Sequence, residues 1–148
     1  AYVNSALIKS EAQLNGFDEA IVLNQDGHVS EGSAENFFMV RDGVLITPPV
    51  SANILEGITR STVIQLAQDE LGIETVERTI DRSELYVADE AFFCGTGVQI
   101  AAIASVDHYQ VGRGGIGPIT KQLRDLYFRT VRGEVPKYCA WCTPVYEA

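Results

Sequence analysis

The sequence predicts a mixed α/β or α+β domain in which a strand-rich layer is flanked by a few helices. Many short apolar runs rich in β-branched and aromatic residues are separated by glycine- and asparagine-containing turns. The few segments with helical spacing do not alternate strictly with these runs, which argues against a doubly wound sheet. At 148 residues, of which 46% are hydrophobic, a single packed domain is expected.

The N-terminal segment, residues 1–15, is predicted to form a helix because alanines and larger apolar residues recur there at helical spacing. An Asn-Gly step supplies its C-cap. Two strands are expected next, at 20–23 and 28–31, joined by the turn residues 24–27.

A second hairpin is predicted from strands at 36–40 and 44–47, because an Asp-Gly step lies between them and two prolines follow. Residues 59–71 have the amphipathic spacing of a helix, and Gly72 can cap its end. A strand at 73–78 is expected after this cap.

Asp81 and Glu84 have the spacing of a capping box, so a short helix is predicted to begin there. The remaining elements are predicted as strands at 91–94, 99–106 and 109–111, a last helix at 119–131, and a tail at 134–148 with no clear period.

Composition argues against several classes of partner. The formal net charge of −9 is unsuited to nucleic acid or to an anionic membrane, although it leaves room for a phosphate bound by local amides. No apolar run approaches 18 residues, so no membrane span is expected. Three cysteines fit a reducing cytoplasm better than a disulfide scaffold. The chain starts without methionine and is interpreted as a piece of a longer protein.

Cys139 and Cys142 form one C-x-x-C. A zinc site needs about two further ligands, and neither histidine has a matching spacing, so no metal site is expected. A terminal segment without chemistry is favoured over a redox pair.

The most informative part of the chain combines two kinds of feature. Glu31 lies in a turn of small residues, 31–36, and a Gly-Ile-Thr step at 57–59 opens a predicted helix. A carboxylate can bind a protonated ring nitrogen, and a helix N-terminus can bind phosphate. A cofactor with a pyridine ring and a phosphate, as in pyridoxal 5'-phosphate, needs both.

These blocks resemble the signature of the class IV, pyridoxal-phosphate-dependent aminotransferases, and within them the branched-chain amino acid aminotransferases. The resemblance covers residues 1–133 and is carried, in order, by Ala1–Ser5, Ser30–Gly32, Thr47–Pro49, Asp89–Phe92 and Gly95–Thr96. It implies the large C-terminal, cofactor-binding domain of the D-amino-acid-aminotransferase-like fold, a strand-rich pseudo-barrel flanked by helices, with residues 134–148 as a tail.

The resemblance implies that Glu31 accepts a hydrogen bond from the pyridinium nitrogen and that Leu55 lies against the ring. It assigns the phosphate to Gly57, Ile58 and Thr59. From residue chemistry alone, the more common interpretation of Glu31 is a solvated turn residue, and that of Thr59 is a capped helix start. Glu35, the other acid of the block, is interpreted as structural.

It further implies that Gly95 and Thr96 make a second phosphate contact, that the amides of Thr96 and Gly97 face the substrate carboxylate, and that Tyr2 bonds the ring oxygen. The alternative for Gly95 and Thr96 is a plain strand-end turn, and the alternative for Tyr2 is a buried helix aromatic. The sequence continues Gly-Val-Gln-Ile from 97 where many relatives have Ala-Ala-Glu-Ile, a departure on the substrate side.

No catalytic residue is expected within this chain. In the family the Schiff-base lysine precedes the tyrosine of the first block, which puts it about three residues upstream of Ala1. Lys9, Lys121 and Lys137 match nothing in the pattern. The small N-terminal domain of the same enzyme is also expected as a partner, and relatives lead us to expect a cytoplasmic homo-oligomer.

The implied reaction exchanges the amino group of L-leucine, L-isoleucine or L-valine with 2-oxoglutarate, so the ligands are an amino acid and a 2-oxo acid. D-amino acid transaminase and aminodeoxychorismate lyase are alternatives on the same fold. The third alternative is a fragment that binds pyridoxal phosphate or another phosphate without catalysis.

Overall fold

The computed structural model describes residues 2–146. Its three α-helices and nine strands are α1 (Val3–Leu14), β1 (Ile21–Leu23), β2 (Val29–Gly32), β3 (Asn36–Arg41), β4 (Val44–Thr47), α2 (Ile58–Leu71), β5 (Thr75–Glu77), β6 (Glu90–Gly95), β7 (Gln99–Ala102), β8 (Ser105–Val106), β9 (Tyr109–Gln110) and α3 (Pro118–Val131). Short 3-10 helices occupy Val50–Ala52, Arg82–Val87 and Pro136–Trp141.

The strands form one five-stranded sheet and two small ribbons. The order in the sheet is β5-β4-β3-β6-β7, and only the β4–β5 pair is parallel. The ribbons pair β1 with β2 and β8 with β9. The mixed α/β prediction is therefore confirmed, with helices flanking a mixed sheet.

Side chains alternate along the central strands and divide the core into two layers. Phe38 of β3 stacks on Phe92 of β6, with ring centroids 5.1 Å apart, on the face that α2 and α3 cover. Phe37 and Phe93 lie on the opposite face, where the ribbons and the 3-10 helix at Arg82–Val87 pack. The central strands β3 and β6 are buried on both sides, which explains why they are continuous apolar runs.

The predicted helices and most turns are confirmed. Gly16 ends α1 in a Schellman arrangement, in which the Phe17 amide donates to the Ala12 carbonyl at 3.0 Å. Gly72 caps α2 with a φ of +63°. Asp42 and Gly43 both have positive φ, 52° and 78°, as the tight β3–β4 turn requires. The start predicted for the first helix, Ala1, lies outside the described residues.

One expectation was wrong. The single strand predicted at 99–106 is two strands, because Ile103 donates to the Ala91 carbonyl at 2.8 Å while β8 turns away to pair with β9. Two further features were not anticipated. Within the tail, Pro136–Trp141 is a 3-10 helix with a buried Tyr138. No residue of α1 is buried, so the apolar residues of that helix do not form an inward face.

Among the residues described, none of the helices is long and apolar enough to cross a membrane.

Candidate functional site

An open cleft of about 1790 Å³ lies between α1, the end of β2, the β6–β7 turn and the start of α2. All the site residues predicted from the sequence line it: Tyr2, Glu31, Leu55, Gly57, Ile58, Thr59, Gly95, Thr96 and Gly97. Residues that are up to 95 positions apart in the chain thus share one surface, although their roles stay predictions.

Glu31 lies half-buried on β2, with one carboxylate oxygen fixed. Its Oε2 accepts hydrogen bonds from the Leu55 amide at 2.9 Å and from Asn36 Nδ2 at 3.2 Å. Within residues 2–146 its Oε1 accepts no hydrogen bond, so this oxygen is available to a ligand. Burial raises the pKa of the Glu31 carboxyl, and the Leu55 amide opposes that rise.

Asn36 is the last residue of the stretch 31–36, and its contribution to the site was not predicted from the sequence. It is 5% exposed, and its Nδ2 donates to the Leu55 carbonyl at 2.8 Å as well as to Glu31. A buried amide needs such partners. The available signal was its position as the polar first residue of β3, directly before four buried apolar residues.

The start of α2 presents amides without acceptors. The first intrahelical bond runs from the Ser61 amide to the Gly57 carbonyl at 3.0 Å. The amides of Ile58, Thr59 and Arg60 have no acceptor in the described part of the chain, and no side chain caps the helix. Such a helix start can bind an anion.

Gly57 has an ordinary backbone conformation, with φ −66° and ψ 137°. The position requires glycine for another reason, since a Cβ there would overlap the Oδ1 of Asn36. The family resemblance assigns Gly57 to the phosphate, which a residue without a side chain can approach closely. The structure adds a second cause, which is the buried amide beside it.

Gly95 ends β6 next to the loop at 33–35, which follows the strand that carries Glu31. A Cβ on Gly95 would lie 3.5 Å from the Ala34 carbonyl, which is ordinary contact, so the glycine is not sterically required. Thr96 and Gly97 form an exposed turn that leads to Gln99 at a φ of +59°. Their amides have no acceptor among residues 2–146.

The remaining predicted residues are exposed. Tyr2 is 82% exposed, so its interpretation as a buried helix aromatic is wrong. Leu55 and Ile58 are exposed to 73% and 87%, and both line the cleft. These apolar side chains are thus available to contact a flat ring or another part of a protein.

Glu35 closes the small-residue turn, in keeping with its structural interpretation. Its Oε2 accepts the Ala34 amide at 3.0 Å, and a Cβ on Gly32 would lie 2.7 Å from the same oxygen. Burial raises the pKa of the Glu35 carboxyl, with the Ala34 amide opposing it.

The three cysteines differ in their relation to the cleft, since Cys94 is among the residues that line it and Cys139 and Cys142 are not. Cys94 is buried on β6, and desolvation raises its pKa to about 12. Cys139 and Cys142 are exposed on the tail. Between residues 2 and 146 no group of three or more histidine, cysteine or acidic residues is placed to bind a metal ion.

A family model, related sequences and solved structures all relate this chain to the same family. Residues 1–106 match the model of the family amino-transferase class IV. A probable branched-chain-amino-acid aminotransferase from Aquifex aeolicus is 53% identical over 147 residues, which are 99% of this chain and 47% of that protein.

Two solved structures have nearly the same fold. The branched-chain amino acid aminotransferase from Thermobaculum terrenum in its PLP form gives a TM-score of 0.96 at 51% identity, covering 99% of this chain and 48% of that one. The T.th. branched-chain amino acid aminotransferase complexed with N-(5'-phosphopyridoxyl)-L-glutamate gives 0.94 at 44% identity, covering 98% and 48%. The chain thus spans about half the length of the relatives it matches.

Proposed function

The chain belongs to the class IV aminotransferase family, and we propose that it is the cofactor-binding part of a branched-chain amino acid aminotransferase that uses pyridoxal 5'-phosphate. The reaction is transamination of L-leucine, L-isoleucine or L-valine with 2-oxoglutarate. The names of the relatives support the branched-chain amino acid, and the phosphopyridoxyl-glutamate complex of one relative supports a glutamate-derived partner.

One observation carries the proposal. The available oxygen of Glu31 and the uncapped start of α2 belong to the same cleft, so one ligand with a cationic ring nitrogen and a phosphate can contact both. The residues present therefore fit this cofactor. When bound, it supplies an electron-withdrawing ring that stabilises negative charge at the α-carbon of the substrate.

Glu31 accepts the N–H of the ring nitrogen through Oε1 while Oε2 stays bonded to Leu55 and Asn36. A carboxylate at that place keeps the ring nitrogen protonated. Leu55 contacts the face of the ring, and Tyr2 donates to its oxygen.

The amides of Ile58 and Thr59 and the Thr59 hydroxyl bind the phosphate, where Gly57 leaves room for it. Gly95 and Thr96 make the second phosphate contact, and the amides of Thr96 and Gly97 bind the substrate carboxylate. The amides of Ile58, Thr59, Thr96 and Gly97 have no acceptor in the described part of the chain.

Proton transfer needs a base. None of the lysines of this chain lies at the position that the family uses for it. We assign that role to a lysine expected about three residues before Ala1. The rest of the pocket comes from the small N-terminal domain, and the assembly is a homo-oligomer. The chain alone is therefore expected to bind the cofactor weakly and to catalyse nothing.

Binding is best tested with pyridoxamine 5'-phosphate, because its amine cannot condense with surface lysines. Calorimetry should give weak binding to the 148-residue chain. Glu31→Gln should weaken it roughly tenfold without changing the affinity for inorganic phosphate, since only a hydrogen bond to a charged group is lost. Thr59→Val should weaken the binding of both ligands. Glu74 is an exposed acid outside the cleft, so Glu74→Gln should change the affinity for neither ligand.

Turnover is tested by restoring the upstream lysine segment and the small domain. L-leucine should then be a better amino donor than D-alanine. The opposite preference would assign the chain to the D-amino acid alternative, and equal affinity of wild type and Glu31→Gln for pyridoxamine phosphate would refute the site.

A further inference from the structure

Asn36 connects two parts of the cleft lining, Glu31 and the segment before α2. Its buried side chain lies between Glu31 on β2 and the segment that leads into α2. An asparagine that merely shaped its own turn would bond to neighbours one to three residues away. The partners of Asn36 are 5 and 19 residues away instead.

The hydrogen bonds around Asn36 form a closed ring of three residues. Asn36 Nδ2 uses one hydrogen for Glu31 Oε2 at 3.2 Å and the other for the Leu55 carbonyl at 2.8 Å. The Leu55 amide in turn donates to the same Glu31 oxygen at 2.9 Å. Glu31 therefore cannot rotate without breaking bonds to both other members.

The Oδ1 of Asn36 contacts the backbone that begins α2. It lies against Gly57, where it leaves no room for a Cβ. The Gly57 amide donates to the Leu55 carbonyl at 2.9 Å, so that carbonyl is shared between Gly57 and Asn36. The same side chain thus touches the acid and the turn from which the uncapped amides start.

We propose that Asn36 is a positioning residue: it sets the carboxylate of Glu31 and the start of α2 in one fixed relation, so that a ligand's ring nitrogen and phosphate are bound together. This inference rests on the proposed function for the ligand, but the geometry of Glu31 can be tested without one. Asn36 itself has no hydrogen available for the ligand, because both hydrogens of its amide are used within the ring.

The first measurement needs no ligand. Donors to a carboxylate favour its charged form, so removing the Asn36 donor should raise the pKa of Glu31 further. A carbon-13 NMR pH titration of the Glu31 carboxyl should show this upward shift in Asn36→Ala. Asn36→Asp should shift it at least as far, because a second acid replaces the donor, and it keeps the shape of the side chain if the alanine variant folds poorly.

The matched control is Asn24→Ala. Asn24 is also partly buried and donates to a backbone carbonyl, that of Ala52, at 2.9 Å, but it does not line the cleft. Its replacement should leave the Glu31 titration unchanged. A Glu31 titration that is identical in wild type and both Asn36 variants would overturn the inference.

The second measurement follows pyridoxamine 5'-phosphate binding against pH. In the wild type, affinity should fall as Glu31 becomes protonated at low pH. In Asn36→Ala the midpoint should move to higher pH, and the affinity above it should fall roughly tenfold because the carboxylate is no longer oriented.

Different results would refute the proposed function and the positioning role of Asn36. If Glu31→Gln binds pyridoxamine phosphate as wild type does, the proposed function fails, whereas the NMR titration still decides the role of Asn36. If Glu31→Gln weakens binding and Asn36→Ala changes neither the Glu31 titration nor the pH midpoint, Asn36 is only a packing residue and the inference is wrong.

Discussion

The carboxylate of Glu90 on β6 caps α3 by accepting both the amide and the hydroxyl hydrogen of Thr120, each at 2.7 Å. A third bond comes from the Ile119 amide at 3.0 Å. Glu90 is buried, and Gly117 has no room for a Cβ because the carboxyl group occupies that space. A strand residue thus performs the capping that the sequence before α3 does not supply.

Replacing Glu90 by alanine should destabilise the chain by about 2–3 kcal/mol, because three donors at the start of α3 lose a buried acceptor. Urea denaturation monitored by circular dichroism measures this loss. Asp125→Ala is the control on the same helix, since it removes only exposed pairs with Lys121 and Arg124 and should cost below about 0.5 kcal/mol. Equal midpoints for the two variants would contradict the capping role.

His28 should make stability depend on pH. It lies between Asp26 and Asp81, with nitrogen–oxygen distances of 3.0 and 3.1 Å, and the contact with the Asp26 carboxylate raises its pKa above the ordinary value of 6.5 although desolvation opposes this. A raised folded-state pKa stabilises the fold fully below pH 6.5, and the contribution disappears as the pH rises through that pKa.

His28→Gln should therefore melt at a lower temperature than wild type at about pH 5.5 and at the same temperature near pH 9. Thermal denaturation at both pH values measures the difference. Asp26→Asn should reduce the pH dependence in the same way. A difference between wild type and His28→Gln that grows toward high pH would refute this account.

The cysteines should fall into two classes of reactivity. Cys139 and Cys142 are exposed, whereas Cys94 is buried with a pKa of about 12 and thus has almost no thiolate near neutral pH. Iodoacetamide should add two labels to the native chain and a third only in denaturant, as read by mass spectrometry. Labelling of all three cysteines under native conditions would show that β6 opens readily.

The outer side of α1 should contribute little to folding but promote association. Leu14 is 88% exposed and Leu7 is also exposed. Serine at either position should change the free energy of unfolding by less than about 0.5 kcal/mol, whereas Leu66→Ala in the buried face of α2 should cost about 2–5 kcal/mol.

Sedimentation should also show less self-association for the two serine variants, because each removes an exposed apolar side chain from α1. A large loss of stability on Leu14→Ser would mean that α1 packs inward.

Local signals predicted much of the fold. The Asp-Gly step at 42–43 and the glycine at 72 require conformations that few other residues adopt, and both turned out as expected. The break between β7 and β8 has no such signal, because apolar residues continue through Ile103 and Val106. It arises from pairing: Ile103 bonds to β6, and β8 bonds to β9.

The sequence predicted which residues belong to the site but not which of them contact one another. Motif spacing indicated Glu31 and Thr59, and both line the cleft. The bond from Asn36 to Leu55 joins positions 19 apart, and the steric demand on Gly57 depends on that side chain. Such relations follow from tertiary packing, which a local pattern does not contain.

The six residues of β6 fix the separation between the cap of α3 at Glu90 and the cleft turn after Gly95. Side chains alternate between the two core layers along this strand, so inserting one amino acid between Phe92 and Phe93 would move Phe93 and the residues after it to the opposite layer. The strand cannot absorb a change in length, whereas the exposed loop at 112–116 can. Natural length variation should therefore accumulate in that loop and be absent from β6.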